Sequence, residues 1–273
     1  MKIYEKNTPD NFNKDNILKH LDEFIKLYKE RPIKNNSGGM KFPHMLGFYF
    51  LLKTLKPEFV VESGIFKGQS TWLIESTLPN CDLLSIDIDL TKRQYISKKA
   101  NYSNKDFKLH DFSSIPENTL VFFDDHVSHY ERLQQAKFFN IKSIILEDNY
   151  SKNKGDFYTI KHAYQNSGFN HVETKKSYTK TTLIFLSEML KKIFQKNYYF
   201  CIDKINSRMR DHKPNINNFK NIEKNIETYY EFPPIIENKN SSTKPIFNSI
   251  DSDFNVFREE LNHYNCITYI KLK

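Results

Sequence analysis

The chain has 273 residues, 38% of them hydrophobic and 15% aromatic, and carries a net charge of +8. That length suits one large α/β domain with an insertion or two small domains, and its rings can build a substantial core. Cys81, Cys201 and Cys266 lie far apart with no C-x-x-C pair, which argues against a disulfide framework or structural zinc and fits a reducing cytoplasm. The N-terminus has no apolar signal region, and the longest apolar runs, such as 46–52, are too short to span a bilayer, so a soluble protein is expected. The positive charge is spread through Lys/Asn-rich stretches. It would suit an acidic partner or nucleic acid, but a general lysine bias is the favoured explanation.

Ile17, Leu18, Leu21, Phe24, Ile25 and Tyr28 recur at helical spacing, predicting an amphipathic helix over 13–30. After the loop 35–40, Pro43 opens a second helix that runs to about Leu55 and is ended by Pro57. The core then begins. Strands are predicted at 59–62, 83–87, 107–109, 120–124 and 143–146, with helices starting at Ser70 and covering 91–100 and 130–139. Such alternation, with continuous apolar strands, indicates a parallel sheet covered on both faces, with all strand C-termini on one edge. Beyond 155 the pattern is harder to read. Residues 156–167 look helical, 183–194 carry another helical stripe, and 196–225 are polar. Residues 226–236 resemble a strand entering a rigid turn, and 266–272 a closing strand. The division expected is an N-terminal helical segment (1–57), an α/β core (58–155), a helical cap or insertion (156–225) and closing strands (226–273).

The segment V-V-E-S-G-I-F-K-G-Q-S, residues 60–70, is an apolar strand running into an acid, two glycines and a serine that opens a helix. Glu62, Gly64, Gly68 and Ser70 are what a strand-to-helix turn needs to hold a nucleoside with an amino-acid tail. The glycines let backbone approach the ligand, and Ser70 and the helix N–H groups receive a carboxylate. The spacing is not G-x-G-x-x-G, which weakens a dinucleotide reading, and the acid fits S-adenosylmethionine better. Asp87 ends the second strand, where a carboxylate accepts bonds from ribose hydroxyls. Asp111, in L-H-D-F-S, is placed to bind an adenine amino group. F-F-D-D-H (Asp124, Asp125, His126) and L-E-D-N (Glu147, Asp148, Asn149) follow at the next two strand ends. Clustered acids repel unless a cation or proton offsets them. Asp125, Asp148 and Asn149 are hard oxygen ligands suited to Mg²⁺, which would lower the pKa of a substrate hydroxyl. Of the adjacent Asp124 and Asp125, one can serve only to cap the following helix. Arg132 either meets substrate or bridges Asp125 or Glu131, and Gly38, Gly39 and Met40 form either a lid or a linker. Tyr229, Tyr230, Phe232 and the Pro233–Pro234 pair either wall an acceptor pocket or pack in the core.

E-S-G-I-F-K-G-Q-S, S-I-D-I-D, F-F-D-D-H and L-E-D-N together resemble class I S-adenosylmethionine methyltransferases. The nearest type is the metal-dependent O-methyltransferases, both catechol-type and the macrolide-sugar and cephalosporin-type relatives. The resemblance covers about 58–150 and implies a Rossmann-like, doubly wound α/β sheet with N-terminal helices and a C-terminal cap. By it, Gly64, Phe66 and Ser70 would contact the methionine part, Asp87 the ribose and His126 the adenine. Asp125, Asp148 and Asn149 would bind the metal, with Glu147 as an alternative ligand. Catechol-type enzymes carry a lysine base where this chain has Ser128, so the base would be His129 or Asp125 and a catechol substrate is in doubt. The function expected is Mg²⁺-assisted O-methyl transfer to a small polar acceptor, with a sugar hydroxyl preferred. Nucleic acid is the disfavoured partner and a membrane is excluded; a homo-oligomer and a SAM-fold binding module without catalysis stay open.

Overall fold

The computed structural model describes residues 5–152, 154–165, 167, 216–238, 241, 243–249, 257–261, 263, 264 and 266–273. The predicted helical stripe at 183–194 lies outside them. The elements are β1 (Glu5–Lys6), α1 (Lys14–Lys29), α2 (Phe42–Leu55), β2 (Phe59–Ser63), α3 (Gln69–Thr77), β3 (Asp82–Ile86), β4 (Asn101–Ser103) and β5 (Thr119–Phe123). They continue with α4 (His129–Phe138), β6 (Ser143–Leu146), α5 (Ile160–Tyr164), α6 (Ile216–Asn225), β7 (Ile226–Glu231), α7 (Arg258–Leu261) and β8 (Thr268–Leu272). No helix among the described residues is long and apolar enough to cross a membrane.

One eight-stranded sheet runs in the order β1-β7-β8-β6-β5-β2-β3-β4. Neighbours from β4 through β6 are parallel, whereas β8 is antiparallel to both β6 and β7. The central strand β5, T-L-V-F-F, is buried at every position, because apolar layers cover both its faces. On one face Phe48 of α2 stacks on Phe122 at 4.1 Å. On the other, Val121 and Phe123 join Phe107, Leu133 and Tyr158. Helix α2 is buried from Phe42 through Leu52, as a helix apolar all round must be. It starts beside Pro43 and stops at Lys56, whose left-handed φ of 46° precedes Pro57.

Three expectations need correction. The third strand is Asn101–Ser103, and residues 107–109 form a 3-10 turn. The mistake is understandable physically: β4 is a short, polar edge strand, while Phe107 is apolar because it plugs the core. The helix expected at 91–100 stops after the 3-10 turn 90–92. Its next residues are drawn under the glycine turn, where Gln94 N and Tyr95 N both donate to Lys67 O. The helix read at 156–167 spans only Ile160–Tyr164, capped by Thr159. In addition, β1 pairs with β7, so the N-terminal segment contributes a strand as well as helices.

Candidate functional site at the strand ends

The turn after β2 is held by its neighbours. Gly64 (φ 101°) and Gly68 (φ 92°) occupy the left-handed region. A Cβ on Gly64 would lie 2.1 Å from the Asp124 carbonyl oxygen, and one on Gly68 would lie 2.5 Å from that of Tyr95. The glycines are thus demanded first by the close approach of protein backbone, not of a ligand. Asp87 fastens the same turn: its Oδ2 accepts the Ile65 and Phe66 N–H groups at 2.9 Å each, and its Oδ1 accepts Asp89 N–H at 2.9 Å. Three of its roughly four acceptor positions are therefore used. Asp87→Ala should cost about 2 kcal/mol of stability by freeing those amides. Urea unfolding checks this, and a wild-type midpoint in the variant would show that the turn holds itself.

Glu62 lies beneath the turn. It is fully buried, accepting Thr71 Oγ1–H at 2.7 Å and Ser85 Oγ–H at 2.6 Å, with Ser70 a further partner. Burial raises its pKa against the pull of those hydroxyls. Glu62, Ser70 and Gly68 therefore shape the turn from below and do not line the cleft above it.

That cleft has a volume of about 630 Å³ and is walled by Ser63, Gly64, Phe66, Asp87, Asp106 and Asp124–Val127, with Gly38 and Gly39 on one side. Ile88 and Leu109 also line it, although they are 41% and 64% exposed. Large apolar side chains left open in a concave wall are suited to a flat, apolar ligand group. Asp111 does not line the cleft; it is exposed and accepts Ser113 N–H. The acid that follows the true third strand is Asp106, which the sequence reading missed because that strand was placed six residues too late.

Asp106 and Asp125 meet on one buried guanidinium. Arg132 Nη1 and Nη2 donate to the two Asp106 oxygens at 3.0 and 2.9 Å, while its Nε donates to Asp125 Oδ2 at 2.9 Å. Ser63 Oγ–H donates to the same Asp125 oxygen at 2.6 Å. Burial opposes the charge on Arg132, but Asp125 and Asp106 outweigh it and raise the pKa. Of the two roles open for Arg132, the structure places it as a bridge, and Asp125 is locked within that bridge.

The next carboxylates form a separate cluster. Glu147 is buried and hydrogen-bonded to both Asp148 and Asp124. Burial first, and then the Asp148 charge, raise the pKa of Glu147 and of Asp124. Asp148 has a left-handed φ of 55° and accepts the Tyr150 hydroxyl at 2.5 Å. His44 of α2 completes the group: its Nε2 is 3.6 Å from Glu147 Oε1, and ligand-type atoms of His44, Glu147 and Asp148 lie within 4.8 Å of one another. Burial pushes the His44 pKa down to about 4. Carboxylates packed this closely need shared protons or a cation, and hard oxygen donors fit a divalent ion. Asn149 does not fit. Its Nδ2 donates to Tyr229 Oη and Thr268 Oγ1, and its Oδ1 accepts Lys161 N–H, all at 2.9 Å in the core.

The two histidines of this region also part company. His126 (φ 55°) lines the cleft and contacts Asp156 at 3.2 Å; that bond outweighs burial and raises its pKa to about 9. His129 is 2% exposed behind Phe157, and burial lowers its pKa to about 3. It does not line the cleft, so a base role for it has no access to substrate. Tyr229, Tyr230 and Phe232 are core residues.

Five parallel strands, with antiparallel β8 set between β6 and β7, make the sheet that the sequence resemblance implied. The described strands thus form a Rossmann-like, doubly wound sheet with an antiparallel end. No protein-family model and no curated protein sequence matches the chain. Similar solved structures include SAH-bound CmcI, at 18% identity and a TM-score of 0.36, covering 40% of this chain and 62% of that one. The SAH-bound methyltransferase PaMTH1 of Podospora anserina aligns with 97% of this chain and 89% of its own, at 9% identity and a TM-score of 0.45. Human N-acetylserotonin methyltransferase in complex with SAM aligns at 12% identity, covering 52% of this chain and 40% of that one, with a TM-score of 0.31. In open α/β sheets the ligand crevice lies outside the carboxyl ends of the strands, which is where the cleft is found.

Proposed function

We propose that the chain is an S-adenosylmethionine-dependent O-methyltransferase, assisted by a divalent cation and acting on a small polar acceptor such as a sugar hydroxyl. The observation that carries this reading is the juxtaposition, on one sheet edge, of an acid-held glycine turn and a carboxylate cluster, buried Glu147 with half-buried Asp124 and Asp148, that reaches the same cleft through Asp124. The open acceptor position of Asp87 would meet the nucleoside, with Ile88 and Leu109 beside the adenine. Glu147 and Asp148 would hold the cation, in place of the set Asp125, Asp148 and Asn149 expected from sequence. Bound there, S-adenosylmethionine supplies an electrophilic methyl group and the cation lowers an acceptor hydroxyl's pKa. Asp124 lines the cleft, which puts a carboxylate beside the space for an acceptor. Asp125, held by Arg132 and Ser63, keeps the wall rigid, so that the chain's contribution is positioning and electrostatics.

Calorimetry tests both halves. S-adenosylhomocysteine should bind the pure protein, and absence of binding would end the proposal. Glu147→Gln should weaken Mn²⁺ or Mg²⁺ binding at least about 100-fold, since even outer partners of metal ligands cost 10- to 100-fold, while leaving S-adenosylhomocysteine affinity intact. Undiminished cation binding in that variant would remove the cation from the mechanism and leave the cofactor assignment standing.

A further inference from the structure

His44 belongs to α2, far in sequence from the strand-end motifs, yet it is buried against the carboxylate cluster. Its two ring nitrogens face different groups. Nδ1 is approached by the Lys41 backbone N–H at 3.4 Å, within a capping box at the start of α2. Nε2, on the opposite side of the ring, faces Glu147 Oε1 at 3.6 Å. The ring also packs against Tyr264, with centroids 5.4 Å apart.

This arrangement decides which nitrogen carries the proton. A histidine that coordinates a metal through Nε2 needs a proton on Nδ1, ordinarily given to a carbonyl or carboxylate. Here an N–H donor faces Nδ1, so Nδ1 must offer its lone pair and Nε2 must carry the hydrogen. An Nε2–H cannot ligate; it can only donate. The acceptor it faces is Glu147.

We infer that His44 is a positioning residue whose Nε2–H orients Glu147 for a divalent cation shared with Asp148. This rests on the cation reading above. In the structure Glu147 shares hydrogen bonds with its two acidic neighbours, and the 3.6 Å separation lies just beyond hydrogen-bond length. As a cation ligand, Glu147 would present ionised oxygens. His44 Nε2 faces one of them, Oε1, at 3.6 Å, and a bond to an ionised acceptor is about twice as strong as a neutral one. The helix thus sets the carboxylate's direction without entering the coordination shell.

The test uses the full chain and Mn²⁺ as the probe. His44→Phe keeps the ring and its packing on Tyr264 but removes the donor, whereas His44→Gln returns an N–H near the Nε2 position. Mn²⁺ affinity by calorimetry should fall about 10- to 100-fold in His44→Phe and recover most of that loss in His44→Gln, with S-adenosylhomocysteine affinity unchanged in both. A merely structural role would lower both affinities together and would not be rescued by Gln. Pulsed electron paramagnetic resonance of Mn²⁺ on the wild type should show no directly bound nitrogen. A bound-nitrogen signal would make His44 a ligand and overturn the inference, even if His44→Phe failed to fold. Equal Mn²⁺ affinity in wild type and His44→Phe would overturn it while sparing the cation site. Absence of any divalent binding by the wild type would overturn both.

Discussion

Gly64→Ala should destabilise the protein by about 3 kcal/mol or more, summing the strain of a side chain in a disfavoured backbone region and of overpacking. The added carbon would sit 2.1 Å from the Asp124 carbonyl oxygen and 2.4 Å from its carbonyl carbon. Neither contact is relieved by a rotamer change, because both atoms are backbone at the end of β5. Asp124 N–H in turn donates to Ser63 O at 2.8 Å, so separating the two loops also breaks the join between the cofactor turn and the carboxylate loop. A shift of the urea midpoint without a change in slope would measure the loss. A variant as stable as the wild type would mean that the two strand ends are not in contact as described. Wild-type S-adenosylhomocysteine affinity in a folded Gly64→Ala would show, separately, that the turn does not touch the cofactor.

Arg132→Met should cost about 2–3 kcal/mol. Breaking a fully buried pair by removing one partner costs about 3–5 kcal/mol, and the figure is discounted because the Asp106 and Asp125 side chains keep 31% and 13% of their exposure. The methionine fills the space of the arginine stem but leaves two carboxylates facing each other without a cation. The sign can be checked by rescue: adding Asp106→Asn and Asp125→Asn to Arg132→Met should restore part of the stability, since the repulsion is then gone. If the triple variant is no more stable than Arg132→Met, the cost comes from lost packing against Phe107 and Phe123 and not from charge. The same bridge joins the loops after β4 and β5, so the cleft wall should loosen together with the fold.

The strands read from sequence include 83–87, 226–236 and 266–272, which correspond to β3, β7 and β8, but the plainest were those buried on both faces. Residues 59–62, 120–124 and 143–146 are continuous apolar runs, and they became β2, β5 and β6 within one or two residues of the boundaries read. A parallel sheet between two layers needs such runs, which is why the doubly wound class was legible. Edge strand β4 escaped because N-Y-S has no periodicity to detect, and the acid beyond it, Asp106, was passed over for Asp111. Residues 91–100 have a composition a helix could use, but their hydrogen bonds go to Lys67, a long-range partner that no local pattern announces.

The same division runs through the site. The glycine turn, Asp87 and the acids at the ends of β5 and β6 stand out in one dimension because each sits where an apolar strand stops, and strand order then carries them to a common edge. Which acid faces the cleft is a matter of side-chain direction. Asp124 and Asp125 are adjacent, yet one turns to Glu147 and the other to Arg132. Asn149 follows Asp148 directly, yet its amide is spent on Tyr229, Thr268 and Lys161 in the core. His44 carried no signal at all, being a polar residue near the start of the apolar run of α2. The local pattern thus settled the sheet, its open edge and the turn Val60–Ser70, since burial and backbone freedom are written in residue type. The pairing of Asp125 with Arg132, the isolation of His129 and the approach of His44 to Glu147 depend on contacts between distant segments, and those exist only once the chain has packed.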